Sequence, residues 1–79
     1  DINTLSVGAR LYIDGGQGGI FRVTCVDRHV GEDGPLVELR RASSPKTLYT
    51  LMRHARKPGS FVLSSARTSK DVDGWRVVP

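Results

Sequence analysis

The residues able to do chemistry form two groups: a sparse set of nucleophiles and metal ligands, and a larger set of cations. Cys25, His29 and His54 are the only Cys and His residues. Structural zinc takes four such ligands. Cys25 and His29, four apart on an extended strand, would stand roughly 13 Å apart, so they cannot share one ion, and no metal or other cofactor is expected. Cys25 alternates with Phe21 and Val23, which places it on the buried face of a strand as an inert thiol. No Ser, His and acid stand together in a recognisable local motif. No Asp or Glu lies among apolar residues that would raise its pKa toward that of a general acid. A triad assembled from distant positions stays open, but the reading taken is that the chain is not an enzyme.

The cations are more informative. Twelve Lys and Arg face eight Asp and Glu, a net charge of +4. Such a balance favours an anionic partner, although an excess of this size also serves solubility alone. No acid falls between Lys46 and Lys57. On a helix, at about 100° per residue, Lys46, Tyr49, Arg53, Arg56 and Lys57 share one side. A cationic face containing an aromatic suits phosphate contact and base stacking. The same charges also fit a solvated outer face and a favourable end to a helix dipole. A second basic group, Arg22, Arg28 and Arg40, occupies outward positions on two strands, where Asp27 and Glu38 are alternative ion-pair partners. The expected partner is therefore nucleic acid, DNA or RNA. Arg22, Arg28, Arg40, Lys46, Arg53, Arg56 and Lys57 would meet phosphates, and Tyr49 would stack. Trp75 reads first as core and second as a platform.

The elements that must position these residues are punctuated by Asp14-Gly15, Asp33-Gly34 and Asp73-Gly74, all turn signals. Between them lie alternating apolar and polar runs: a strand over 10–13, a long strand over 19–28, and a third over 36–41 joined to it by a hairpin through 31–35. Four glycines within 15–19 connect the first two strands. With no following helix and no Lys-Ser/Thr pair, this loop does not read as a phosphate cradle; it is a turn, or a backbone that lies close against a partner. Ser44-Pro45 suits the start of a helix and Pro58-Gly59 its end. Within it Leu48, Leu51, Met52 and Ala55 form an apolar stripe. Strands over 60–65 and 75–78 follow, the last preceded by a turn through 70–74. The predicted core is Leu11, Ile13, Phe21, Val23, Cys25, Val37, Leu39, Leu48, Leu51, Met52, Ala55, Phe61, Leu63, Trp75 and Val77.

Seventy-nine residues make one domain, 1–79, with a single hydrophobic core and a thin margin of stability. One cysteine allows no internal disulfide and fits a reducing compartment. No run approaches the roughly 20 apolar residues of a membrane helix, and Asp1 to Thr4 lack the features of a secretory signal. The cytoplasm is the expected location, without a membrane partner.

The front half, Val7-Gly8-Ala9-Arg10-Leu11-Tyr12, a glycine loop, then Gly19-Ile20-Phe21-Arg22-Val23, resembles small SH3-like β-barrels of the KOW and Tudor kind. That resemblance implies binding through loops and a strand face, to nucleic acid or to a peptide. A helix between the third and fourth strands departs from the pattern. The expected fold is mainly β, bordering on α+β: a five-stranded, mostly antiparallel bent sheet or SH3-like barrel with one helix between strands three and four. The expected function is a nucleic-acid-binding accessory or regulatory module. The alternative is a protein-interaction adaptor that takes an extended peptide at a strand edge or in a groove of Tyr12 and Trp75. Oligomeric state is left open, since an edge strand can pair with its copy.

Overall fold

Alternation of buried with more accessible residues sets the first and third strands of this chain and the first half of the second. A computed structural model describes residues 2–14, 19–28 and 34–79. After a 3-10 turn at Ile2–Thr4 come seven strands: β1 (Arg10–Ile13), β2 (Ile20–Asp27), β3 (Leu36–Arg41), β4 (Tyr49–Arg53), β5 (Phe61–Ser64), β6 (Ser69–Val72) and β7 (Trp75–Val78). They form one sheet in the order β6-β5-β4-β3-β2-β1-β7, curled into an antiparallel half-barrel. The first six strands are a meander, and β7 returns to lie beside β1, with Leu11 opposite Val77. No α-helix occurs among the described residues, and none is long and apolar enough to cross a membrane.

The inner face carries Leu11 and Ile13 from β1, Phe21 and Val23 from β2, Val37 and Leu39 from β3, Leu51, Leu63 and Val72, all buried. Ile2 and Leu5 of the N-terminal segment complete this core. Arg28 holds that segment in place: its Nη1 and Nη2 donate to the carbonyls of Asn3 and Leu5, each at 2.7 Å. Ile2, Leu5 and Val72 are core residues the sequence pattern did not single out. The first two sit outside any strand, where alternation gives no signal.

Three expectations are corrected. The helix expected between residues 45 and 57 is absent. Pro45 and Lys46 lie in a turn, and Tyr49–Arg53 is β4, paired on both sides by β3 and β5. The same residues that match a helical stripe also alternate, with Tyr49, Leu51 and Arg53 on one side and Thr50 and Met52 on the other. The pairing decides between the two periods, because without β4 the inner hydrogen-bonding edges of β3 and β5 would stand open. Arg40 adds to this by donating from Nη1 to the carbonyls of Pro45 and Lys46, at 2.9 and 3.3 Å. The sheet therefore has seven strands and not five, β6 forming where a turn was expected.

The third correction concerns β2. Its pairing with β3 shifts register between Val23 and Cys25, and the extra residue reverses which side chains face inward. Cys25 is accordingly exposed, not buried. Leu48, Ala55 and Val77, also expected in the core, are exposed as well, and Met52 is half-buried. Phe61 and Trp75 pack against the core from partly buried positions.

Candidate functional site

The strand register brings three arginines into one line on the outer face of the sheet. Arg10 on β1 is directly opposite Arg22 on β2, and Arg22 is directly opposite Arg40 on β3. Adjacent strands lie about 4.8 Å apart, so three guanidinium groups are rooted within roughly 10 Å. Like charges set opposite each other weaken a sheet, and no acid interrupts the line. Arg10 Nη1 donates to the Pro79 carbonyl at 3.0 Å, and Arg40 Nη1 is engaged by the turn before β4. A guanidinium carries five N–H donors, so each retains donors for a ligand. Arg22, between them, is exposed, and its side chain has no hydrogen-bond or ion-pair partner among the described residues.

One step along the strands the outer face continues the same character. Tyr12 of β1 stands opposite Arg76 of β7, and the Arg76 guanidinium lies 4.8 Å over the tyrosine ring, a cation–π contact. Around the other end of the line, Arg41 sits at the rim of the inner face. It lies 4.9 Å over the Phe21 ring and 5.4 Å over that of Tyr49, two rings that meet edge to face at 5.3 Å. Between the line and this rim opens a cleft of about 470 Å³, with Arg22, Arg40 and Arg41 as its cations and Val7, Ala42 and Pro45 among its apolar walls.

The residues expected to bind are only partly brought together. Arg22 and Arg40 belong to the line. Lys46 is exposed in the turn that Arg40 grips. Tyr49 is half-buried against Phe21 and Arg41, at the same end of the molecule. Arg53 lies about 13 Å further along β4, with its guanidinium against Gly34. Arg56 and Lys57 lie in the connection to β5. With the helix gone, Lys46, Tyr49, Arg53, Arg56 and Lys57 no longer share a face. Arg28 is spent on the N-terminal carbonyls. Tyr12 and Trp75 point to opposite faces of adjacent strands, since Trp75 follows the inward parity of Ile13, so they form no common groove. The connection at 15–18, His29 and most of the β2–β3 connection lie outside the described residues.

At the far end, a small polar cluster ties β6 to the β4–β5 connection. His54 Nδ1 accepts the backbone N–H groups of Arg56 and Lys57 at 3.0 and 3.1 Å, and its Nε2 lies 3.5 Å from Asp71. Lys57 Nζ donates to Asp71 Oδ2 at 2.8 Å. That hydrogen bond holds the Asp71 carboxyl below its ordinary range and the Lys57 ammonium above its own. On β2, the exposed Cys25 stands opposite Glu38. A hydrogen bond to Glu38 is the main cause that raises the thiol pKa, with dehydration and the charges of Glu38 and Asp27 adding to it. Among the described residues no three His, Cys, Asp or Glu side chains gather as a metal site requires.

Arg10, Arg41 and Arg76 are site residues that sequence reasoning missed. Alternation in β1 already put Arg10 on the outer face. What it could not supply was the register that sets Arg10 against Arg22. Compared with known proteins, the chain matches no family model, no curated protein and no solved structure.

Proposed function

We propose that this domain is a nucleic-acid-binding accessory module that grips the phosphate backbone with the outer face of β1, β2 and β3. One observation carries this reading: Arg10, Arg22 and Arg40 stand in direct cross-strand register with no acid among them. A line of like charges costs the isolated fold stability and becomes favourable when anionic groups lie across it. Phosphates at the regular spacing of a nucleic-acid strand suit such a line, and their neutralisation releases counterions. Arg76 over Tyr12 extends the cationic surface sideways. The front half of the sequence resembles SH3-like small barrels, and that resemblance implies binding through loops and a strand face. The role is binding, without catalysis of its own.

The test is fluorescence anisotropy with labelled single- and double-stranded DNA and RNA, across a range of salt. Saturable binding that weakens linearly on a log-log salt plot is expected. Each arginine removed from the line should lower the magnitude of that slope by about 0.7 to 0.9. Arg10, Arg22 and Arg40 changed together to Ala should lower affinity far more than Arg53, Arg56 and Lys57 changed together. Equal affinity in the first variant and the parent, or no binding at low salt, would overturn the proposal.

A further inference from the structure

We infer that the preferred ligand is single-stranded nucleic acid, with one nucleotide seated in the cleft between the arginine line and the β3–β4 connection; this rests on the nucleic-acid reading above. A convex cationic face alone would serve duplex and single strand alike, because both offer phosphates. The cleft distinguishes them. It is concave, about 470 Å³ in volume, and joins two kinds of wall. Arg22 and Arg40 supply the cations, and both belong to the outer line. Val7, Ala42 and Pro45 supply apolar surface. Val7 stands 66% exposed, beside the turn at Gly8, whose φ is 94°. A charged group joined to a planar, largely apolar body fits such a site.

A nucleotide has that form, but only when its base is free. In a duplex the bases are paired and stacked inside, and a depression of this depth would meet the sugar-phosphate ridge alone. In a single strand the base can turn outward, lie against apolar side chains or a guanidinium plane, and leave its phosphate on the neighbouring arginines. Arg41 adds a planar cation at the cleft wall that already lies over the rings of Phe21 and Tyr49. A cation already in contact before binding loses less freedom when a base stacks on it.

The experiment compares single strands with duplexes of equal length at one salt concentration, using the parent and an Ala42→Ile variant. Ala42 is exposed and joins the fold through its backbone N–H, which donates to the Ile20 carbonyl at 2.8 Å. An isoleucine there narrows the cleft without removing a charge or a core contact, and it offers no flat face on which a base could stack. The parent should bind the single strand about tenfold more tightly than the duplex, the worth of roughly one stacked base. Ala42→Ile should remove most of that preference. A chemical-shift titration with a 5′-mononucleotide should move the Val7, Ala42 and Arg22 amides, and inorganic phosphate should move Arg22 without Val7. Equal affinity of the parent for both forms, or a full single-strand preference in Ala42→Ile, would overturn the inference while leaving the arginine line as a phosphate-binding surface. Absence of binding to either form would overturn both.

Discussion

Phe61 and Trp75 stand 6.0 Å apart, centre to centre, with ring planes inclined at 64°, although β5 and β7 are separated by four strands in the sheet. Their contact joins two regions that no strand pairing connects. It shows how the half-barrel is drawn together: β6 and β7 are the two ends of the sheet, only Asp73 and Gly74 link them in sequence, and the aromatic pair lies beside that corner. The Asp14 N–H donates to the Gly74 carbonyl at 3.0 Å and ties the end of β1 into the same corner.

Trp75→Ala should therefore lower stability by about 3 kcal/mol, through lost packing on a large partly buried ring. Trp75→Phe should cost less than about 1 kcal/mol. The indole Nε1 is buried without an acceptor among the described residues, so its removal relieves an unmade hydrogen bond. Urea titrations followed by far-UV circular dichroism check both, and equal losses in the two variants would show that ring size is not what closes the corner.

The arginine line predicts an opposition between stability and binding. Arg22→Ala should leave stability unchanged or raise it by up to about 0.5 kcal/mol, and Arg22→Glu should raise it by about 0.2–1 kcal/mol by placing an acid between Arg10 and Arg40. Both should weaken nucleic-acid binding, the second more. A loss above roughly 1 kcal/mol in Arg22→Ala would identify the side chain as a structural support instead.

The Lys57–Asp71 hydrogen bond sets a pH window. The Asp71 pKa is lowered in the folded state, so its contribution is present above the unfolded value and is lost as pH falls through the folded one. The Lys57 pKa is raised, so its contribution is present below the unfolded value and is lost as pH rises through the folded one. Asp71→Asn should flatten the stability profile at both extremes. Both groups are well exposed, so the change is small. Thermal melts from strongly acidic to strongly alkaline pH measure it.

Cys25 is exposed, yet Glu38 pushes its thiol pKa upward. It should react with iodoacetamide more slowly than a free cysteine at mildly alkaline pH, where the thiolate is the reacting species. Glu38→Gln should speed the reaction severalfold. An unchanged rate would mean that access, and not the carboxylate, governs the thiol.

How far the sequence disclosed this molecule depended on the range of the deciding contact. β1, β3 and β7 could be read to the residue from alternation, and β2 and β5 nearly so. In β1 and β3, one inward row such as Val37 and Leu39 carries the signal alone. β4 could not, because Leu48, Leu51, Met52 and Ala55 satisfy a helical period as well as Leu51 satisfies an extended one. Only pairing with strands on both sides separates the two. The bulge that turns Cys25 outward has no local mark either. Of the candidate site, Arg22 and Arg40 were legible as outward cations on neighbouring strands. Arg10 needed a register, Arg41 a rim and Arg76 the return of β7 beside β1, and all three are products of closure.

The return of β7 also dictates an order of assembly. Arg10 and Val78 are partners from opposite ends of the chain, and contacts so distant in sequence place folding among the slow single domains, on the order of milliseconds to seconds. The hairpins of β1, β2 and β3 are local and can form first. During synthesis, the face bearing Arg10, Arg22 and Arg40 can thus exist while β7 is still within the ribosome, and Leu11 and Ile13 wait for their last neighbour with the edge of β1 open.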